Sequence, residues 1–145
     1  MNEILHVGLD VGSTTVKIIV MDNNKNTIYS DYRRHFSDAK KTVCQVLEEL
    51  LLKYPSSTFT VALTGSGAMS AAKFLGVDFI QEVVSCKRVI EKYYAKTDVV
   101  IELGGEDAKI IYFDNSIEQR MNGSCAGGTG AFLDQMASLL HTDTA

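Results

Sequence analysis

The order of apolar and polar residues along the chain predicts that strands open the fold. Short apolar runs bounded by polar, turn-forming residues are typical of strands that pair as a meander. Such runs follow one another closely near the start of the chain. The predicted strands cover residues 4–10, 16–22 and 27–34.

Helical spacing replaces strand spacing after these strands. Apolar residues recur at intervals of three and four between Val43 and Leu51, which predicts an amphipathic helix. Ser37 is the expected N-cap of this helix, and Pro55 lies beyond its expected end. Further along, the pattern predicts a strand over residues 59–63, a small-residue helix that ends near Gly76, and helices over residues 85–94 and 130–140.

Composition narrows the class of protein. The chain has 145 residues, of which 46% are hydrophobic and 22% charged, and these values are typical of one globular domain. A net charge of −4 argues against a broad surface for nucleic acid or for anionic membranes. No signal-peptide or membrane-spanning pattern is found, and three widely spaced cysteines argue against a disulfide framework. We therefore expect a cytoplasmic protein without nucleic-acid or membrane partners.

An internal repeat relates two predicted hairpins. When the sequence is aligned with itself at an offset of 92 residues, six of the fourteen pairs between Asp10 and Asn23 are identical, and two further pairs are similar in chemistry. The acid, glycine and lysine of the first hairpin all recur at the same spacing. The aligned pairs are Asp10 with Glu102, Gly12 with Gly104 and Lys17 with Lys109.

The length of the repeat has a consequence for domain organisation. A complete second copy would extend to about residue 190, whereas the sequence ends at Ala145. We therefore expect a fragment of a longer protein. Its first lobe would cover residues 1–96, and an incomplete start of the second lobe would cover residues 97–145.

The first hairpin turn carries groups that suit a phosphate chain. Asp10 ends a buried strand, and Gly12 lets backbone N–H groups approach a ligand closely. A carboxylate here can hold Mg²⁺ through water, while hydroxyls, N–H groups and a lysine bind phosphate oxygens. A solvated turn rich in Ser and Thr is the alternative. The predicted phosphate ligands are Gly12, Ser13, Thr14, Thr15 and Lys17, with Asp10 for the metal.

The second turn repeats the acid, the glycine and the lysine, with carboxylates in place of the hydroxyls. Two such turns that face each other would clamp a polyphosphate and its metal from both sides. Neither turn matches the GxxxxGK[ST] or GxGxxG pattern. The predicted roles are phosphate binding by Gly104, Gly105 and Lys109, and orientation of the attacking water or the metal by Glu102, Glu106 or Asp107.

Three segments, residues 8–17, 101–109 and 122–132, carry a family resemblance. The two turns resemble the phosphate-1 and phosphate-2 motifs of the superfamily of acetate kinase, sugar kinases, heat-shock chaperones and actin. Together with the glycine-rich segment around Cys125, they resemble the ATP-dependent activators of 2-hydroxyacyl-CoA dehydratases and of benzoyl-CoA reductases. The resemblance implies an α/β, ribonuclease H-like fold, in which helices flank a mixed sheet and a second lobe duplicates the first.

The resemblance also implies cofactors and partners. These are ATP or ADP with Mg²⁺, and a homodimer that holds one [4Fe–4S] cluster at its interface with two cysteines from each subunit. ATP hydrolysis would drive a rotation that lets the reduced cluster pass an electron to a dehydratase on a separate or fused chain. Ferredoxin or flavodoxin would reduce the cluster. Cys125 matches the first cluster ligand, and the second would lie beyond Ala145.

The chain departs from the family pattern in its second turn. Glu102 and Glu106 stand where the best-known activators carry Asp and Gln, so nucleotide preference or hydrolysis rate could differ. Around Cys125, the residues themselves leave two interpretations open. Flanking glycines and the start of the next helix favour a thiolate or an anionic cluster, and a buried, inert cysteine is the alternative.

Two other functions stand as alternatives. A small-molecule kinase, acting for example on a sugar, would use the same turns without a cluster. A nucleotide-sensing protein of the chaperone or actin type would bind nucleotide with weak turnover. Two short segments carry weaker expectations: Arg33-Arg34-His35 is expected to be a solvated strand end, and Thr64–Gly67 is either a plain strand–helix turn or an approach to the site.

Overall fold

The computed structural model describes residues 3–113, 117–122 and 129–142. The chain divides into two compact units, Met1–Glu82 and Val83–Ala145. The lobe boundary after residue 96 that the repeat suggests stays a prediction. In the described ranges, no helix combines the length and the apolar character that a membrane crossing needs.

Within its described residues, the first unit contains β1 (Ile4–Val11), β2 (Thr15–Met21), β3 (Thr27–Arg34), α1 (Ala39–Lys53), β4 (Thr58–Thr64), α2 (Ala68–Leu75) and β5 (Asp78–Phe79). Its strands form one mixed sheet in the order β3-β2-β1-β4-β5. β1 is antiparallel to β2 because a short turn joins them, and parallel to β4 because α1 carries the chain across in between. The predicted meander and the strand after α1 are confirmed.

The core of the first unit lies on one face of β1. Leu5, Val7, Leu9 and Val11 are each at most 3% exposed, and Val46 of α1 packs in the same cluster. Burial of each of these side chains stabilises the fold by about 1.5–3 kcal/mol. Because side chains alternate along a strand, the even-numbered residues of β1, among them Asp10, occupy the opposite face.

The N-terminus of α1 differs from the sequence-based expectation. Asp38 caps the helix, and its Oδ1 accepts a hydrogen bond of 3.0 Å from the backbone N–H of Lys41. Ser37 has a φ of 67° and is not the cap, so that prediction was wrong. A capping residue has a non-helical backbone with a negative φ, and Asp38 has a φ of −119° and a ψ of 65°.

The chain enters the second unit through α3 (Glu82–Tyr93), which begins earlier than predicted. The described part of this unit then contains β6 (Val99–Leu103), β7 (Ala108–Phe113), β8 (Ile117–Met121) and α4 (Gly130–Leu139). The strands form an antiparallel sheet in the order β6-β7-β8. The sequence pattern did not predict β8 because all of its residues are exposed, which leaves no alternation of buried and exposed positions.

The structure confirms that the two hairpins share one plan. In the first hairpin Asp10 lies opposite Lys17, and in the second Glu102 lies opposite Lys109. The register therefore repeats at the offset of 92 residues found in the sequence. Each turn is closed by the same bond: Gly12 N–H donates to the Thr15 carbonyl at 2.9 Å, and the equivalent bond in the second turn is 2.8 Å.

Candidate functional site

The first turn places an acid and a lysine side by side at the end of the sheet. Asp10 and Lys17 face each other across β1 and β2, and the Lys17 Nζ donates to the Asp10 Oδ2 at 2.9 Å. The two side chains are 30% and 46% exposed. Ion pairs of this exposure contribute only about 0–1 kcal/mol to stability. A phosphate group can therefore compete for Lys17 at little cost to the fold.

His35, which follows β3, forms hydrogen bonds with two backbone carbonyls of the first turn. The His35 backbone N–H donates to the Thr14 carbonyl at 3.1 Å, and its Nε2 lies 3.2 Å from the Gly12 carbonyl oxygen. Since a carbonyl oxygen only accepts, the Nε2 must carry the proton. His35 is 8% exposed, so the expectation of a solvated strand end was wrong for this residue.

Exposure of the turn hydroxyls decreases along the turn. Ser13 is exposed, Thr14 is half-buried and Thr15 is buried. Ser13 and Thr14 are therefore the hydroxyls that a ligand can reach directly. Thr15 closes the turn with its backbone carbonyl, which accepts the bond from Gly12.

The loop that follows β4 packs against the first turn, which favours the second of the two interpretations left open for it. Gly67 N–H donates to the Val11 carbonyl at 2.8 Å. Gly65 has a φ of 104°, and a Cβ on it would lie 2.3 Å from the Val11 oxygen and 2.6 Å from the Asp10 Oδ1. Only glycine fits a position with both constraints. The sequence indicated this segment only as a possible approach to the site and assigned no individual role to Thr64 or Gly65.

Two oxygens beside this loop are buried and unpaired. The Asp10 Oδ1 and the Thr64 Oγ1 have no hydrogen-bond partner among the described residues. Buried polar atoms are nearly always paired, and exceptions are frequent at functional sites. The partly exposed carboxylate of Asp10 fits a hydrated Mg²⁺, which prefers one or two carboxylates and keeps several waters. Within the described ranges, no group of three His, Cys, Asp or Glu side chains could enclose a metal.

The second turn concentrates charge around a buried lysine. Lys109 is 7% exposed, and its Nζ lies 3.8 Å from both the Glu102 Oε2 and the Asp107 Oδ2. Glu106 is exposed on the turn. A Cβ on Gly104 would lie 2.5 Å from the Asp107 Oδ1, so glycine lets the carboxylate fold back over the turn. The structure thus brings Glu102 and Asp107 together around Lys109.

The start of α4 is hydrogen-bonded to the second turn. Gly130 N–H donates to the Gly104 carbonyl at 2.7 Å, and Ala131 N–H donates to the Gly105 carbonyl at 3.1 Å. These two N–H groups at the helix start therefore form hydrogen bonds with the second turn. Cys125 lies outside the described residues, so its expected role as a cluster ligand is a matter of sequence alone.

Neither of the other two cysteines belongs to a group of three potential metal ligands within the described ranges. Cys44 is exposed on α1, and Cys86 is a free thiol on α3. Burial raises the pKa of the Cys86 thiol, and the nearby negative charge of Glu102 raises it further.

Comparison with known proteins places the chain in a family. The model of the BadF/BadG/BcrA/BcrD ATPase family matches residues 7–144. The (R)-2-hydroxyglutaryl-CoA dehydratase activating ATPase of Acidaminococcus fermentans is 32% identical over 141 residues, which cover 93% of this chain and 53% of that protein. The 2-hydroxyisocaproyl-CoA dehydratase activator of Clostridioides difficile is 32% identical, over 94% of this chain and 53% of its own. The chain thus spans about half the length of these curated relatives.

Solved structures agree with the sequence comparison. The activator of the 2-hydroxyisocaproyl-CoA dehydratase from Clostridium difficile, solved with bound ADPNP, superposes with a TM-score of 0.77 at 29% identity. The match covers 96% of this chain and 53% of that one. An exopolyphosphatase from Cytophaga hutchinsonii, at 14% identity and a TM-score of 0.57 over 91% of this chain and 53% of its own, shows the fold alone. The expected family resemblance and ribonuclease H-like fold are confirmed.

Proposed function

Because this chain belongs to the BadF/BadG/BcrA/BcrD ATPase family, we propose that it binds and hydrolyses ATP in order to activate a 2-hydroxyacyl-CoA dehydratase. The names of its relatives support this function, since several are activators of such dehydratases. The observation that carries the proposal is the shared plan of the two turns. Each has a glycine-closed turn flanked by an acid opposite a lysine.

The first turn would bind the phosphates of the nucleotide. Backbone N–H groups, the two reachable hydroxyls and the Lys17 ammonium suit β- and γ-phosphate oxygens. Asp10 would hold the hydrated Mg²⁺, which supplies positive charge against the phosphates when bound. The phosphate ligands proposed here are Gly12, Ser13, Thr14, Thr15 and Lys17, and in the second turn Gly104, Gly105 and Lys109.

The negative charge of the second turn favours a nucleotide that carries a bound cation over the bare nucleotide. Three carboxylates, those of Glu102, Glu106 and Asp107, stand against the single ammonium of Lys109. A surplus of negative charge repels a bare phosphate chain, so a cation must accompany the nucleotide. We therefore assign to these three acids the orientation of the attacking water or of the metal. Phosphoryl transfer relies mainly on such positioning and on charge stabilisation.

The electron-transfer part of the proposal rests on sequence. Cys125 would supply one thiolate to a [4Fe–4S] cluster in a homodimer, and a ferredoxin or a flavodoxin would reduce the cluster. The dehydratase-like partner would then receive the electron. The glycine-rich surroundings of Cys125 support this role, because backbone N–H groups near a cluster sulfur tune its potential.

A substitution of Lys17 tests the nucleotide site. In the protein at its natural length, Lys17→Ala is expected to weaken MgATP binding at least about tenfold, because a charged hydrogen bond to phosphate is lost. Titration calorimetry measures the affinity. Lys25→Ala is the matched control, since Lys25 lies at the other end of the same strand pair, in the turn between β2 and β3. Equal affinity of the Lys17 variant and the wild type would contradict the proposed site.

A further inference from the structure

A row of three polar residues crosses the sheet at the first turn. Lys17 on β2 lies opposite Asp10 on β1, and Asp10 lies opposite Thr64 on the parallel strand β4. Residues directly opposite each other on neighbouring strands project to the same face. Burial agrees, because the residues preceding Asp10 and Thr64, Leu9 and Leu63, are each 1% exposed in the core on the other face.

The two oxygens of the Asp10 carboxylate face different neighbours in this row. Its Oδ2 accepts from Lys17 at 2.9 Å. Its Oδ1 points toward the β4 side, since a Cβ on Gly65 would lie 2.6 Å from it. The Thr64 hydroxyl, one residue earlier on that strand, is likewise without a hydrogen-bond partner in the described part of the chain. The Asp10 carboxylate thus has an oxygen without a hydrogen-bond donor, and the opposite residue, Thr64, has a hydroxyl without an acceptor.

This arrangement costs stability in the ligand-free protein. An unpaired buried polar group typically costs about 1–3 kcal/mol, and an apolar residue of the same shape would avoid that cost. Valine has nearly the shape of threonine. Threonine at this position therefore lowers stability relative to valine, and such a loss of stability is typical of residues that serve a function.

We propose that Thr64 is a positioning residue for Asp10 in the nucleotide-bound state. The inference rests on the proposed function. When a phosphate chain draws the ammonium of Lys17 away from the Oδ2, the Thr64 O–H donates to the Oδ1 and holds the carboxylate from the β4 side. The carboxylate then keeps one orientation and presents its other oxygen to the water shell of Mg²⁺. Gly65 makes the exchange possible, because any side chain at that position would occupy the place of the Oδ1.

The test compares Thr64→Val and Thr64→Ser with the wild type, in the protein at its natural length. ADP affinity is measured by calorimetry with Mg²⁺ and with a chelator, and thermal unfolding is measured without ligand. Thr64→Val is expected to lose about tenfold in affinity for ADP with Mg²⁺ and to change little with the chelator. Its ligand-free melting temperature should equal or exceed that of the wild type. Thr64→Ser should bind as the wild type does.

Thr60→Val is the matched control on the same strand and the same face. Its hydroxyl lies 2.7 Å from the His6 Nδ1, so its loss should lower the melting temperature without changing the effect of Mg²⁺ on ADP affinity. Unchanged MgADP affinity of Thr64→Val would overturn the inference, as would a lowered ligand-free melting temperature, which would mark a structural role. A wild type that binds no ADP would overturn the proposed function itself, and the inference with it.

Discussion

At the scale of single residues, the pairing of Asp10 with Lys17 was predictable, whereas the approach of Thr64–Gly67 to the site was only one of two alternatives. Their spacing along one hairpin is local, so the sequence pattern alone suffices to bring them together. Thr64 lies opposite Asp10 on a parallel strand more than fifty residues away, and Gly65 follows it beside the same carboxylate. A parallel pairing of that separation is set by the packing of the intervening helix, which no local pattern displays.

His35 is a second residue whose place depends on tertiary contacts. Between Arg34 and Phe36 it looks like part of a charged strand end, yet its ring is buried against the turn. The two bonds that it makes hold the carbonyl groups of Gly12 and Thr14, so the N–H groups of the turn keep their direction. It therefore stabilises the shape of the turn that we propose as the phosphate site.

Replacement of His35 should weaken both the fold and the site. His35→Phe leaves the Gly12 carbonyl without its side-chain donor, so the free energy of unfolding should fall by about 1–2 kcal/mol. Nucleotide affinity should fall as well. Denaturant unfolding and calorimetry measure the two effects. His35→Gln places an amide N–H near the position of the Nε2 and should restore most of both. If His35→Phe matched the wild type in both measurements, His35 would not position the turn.

At the scale of elements, hydrophobic periodicity predicted the helices well and their ends less well. α1 and α2 follow from apolar spacing, and α2 stops at Gly76, whose φ of 66° suits the left-handed end of a helix. The cap of α1 was misplaced by one residue, because Ser and Asp are both good capping residues and only the backbone conformation distinguishes them. Element ends depend on such conformational details more than on hydrophobic pattern.

A pair of substitutions tests the capping assignment. Asp38→Ala removes the acceptor of the Lys41 N–H and should lower the free energy of unfolding by about 1 kcal/mol. Ser37→Ala should change it by no more than a few tenths of a kcal/mol, since that residue keeps its left-handed backbone and caps nothing. Urea unfolding followed by circular dichroism measures both values. A larger loss from Ser37→Ala than from Asp38→Ala would restore Ser37 as the cap.

At the scale of the whole molecule, duplication explains why one sequence pattern yields two similar turns with different chemistry. The register of each hairpin is the same, but hydroxyls in the first turn are replaced by carboxylates in the second. Lys17 is correspondingly exposed, whereas Lys109 is buried beside its acids. The repeat was readable from sequence because turn glycines and charged partners are local features. The hydrogen bonds between α4 and the second turn could not be predicted from sequence, because they join segments far apart in the chain.

The measurement that tests the central claim most directly is the iron content of the protein at its natural length. After anaerobic reconstitution with iron and sulfide, the wild type should hold about four irons per dimer, with the spectrum of a [4Fe–4S] cluster. Cys125→Ser should lose this iron, whereas Cys44→Ser, which alters an exposed thiol on α1, should keep it. A wild type without iron, or a Cys125→Ser protein with a full cluster, would contradict an activator that passes an electron from a cluster held by Cys125.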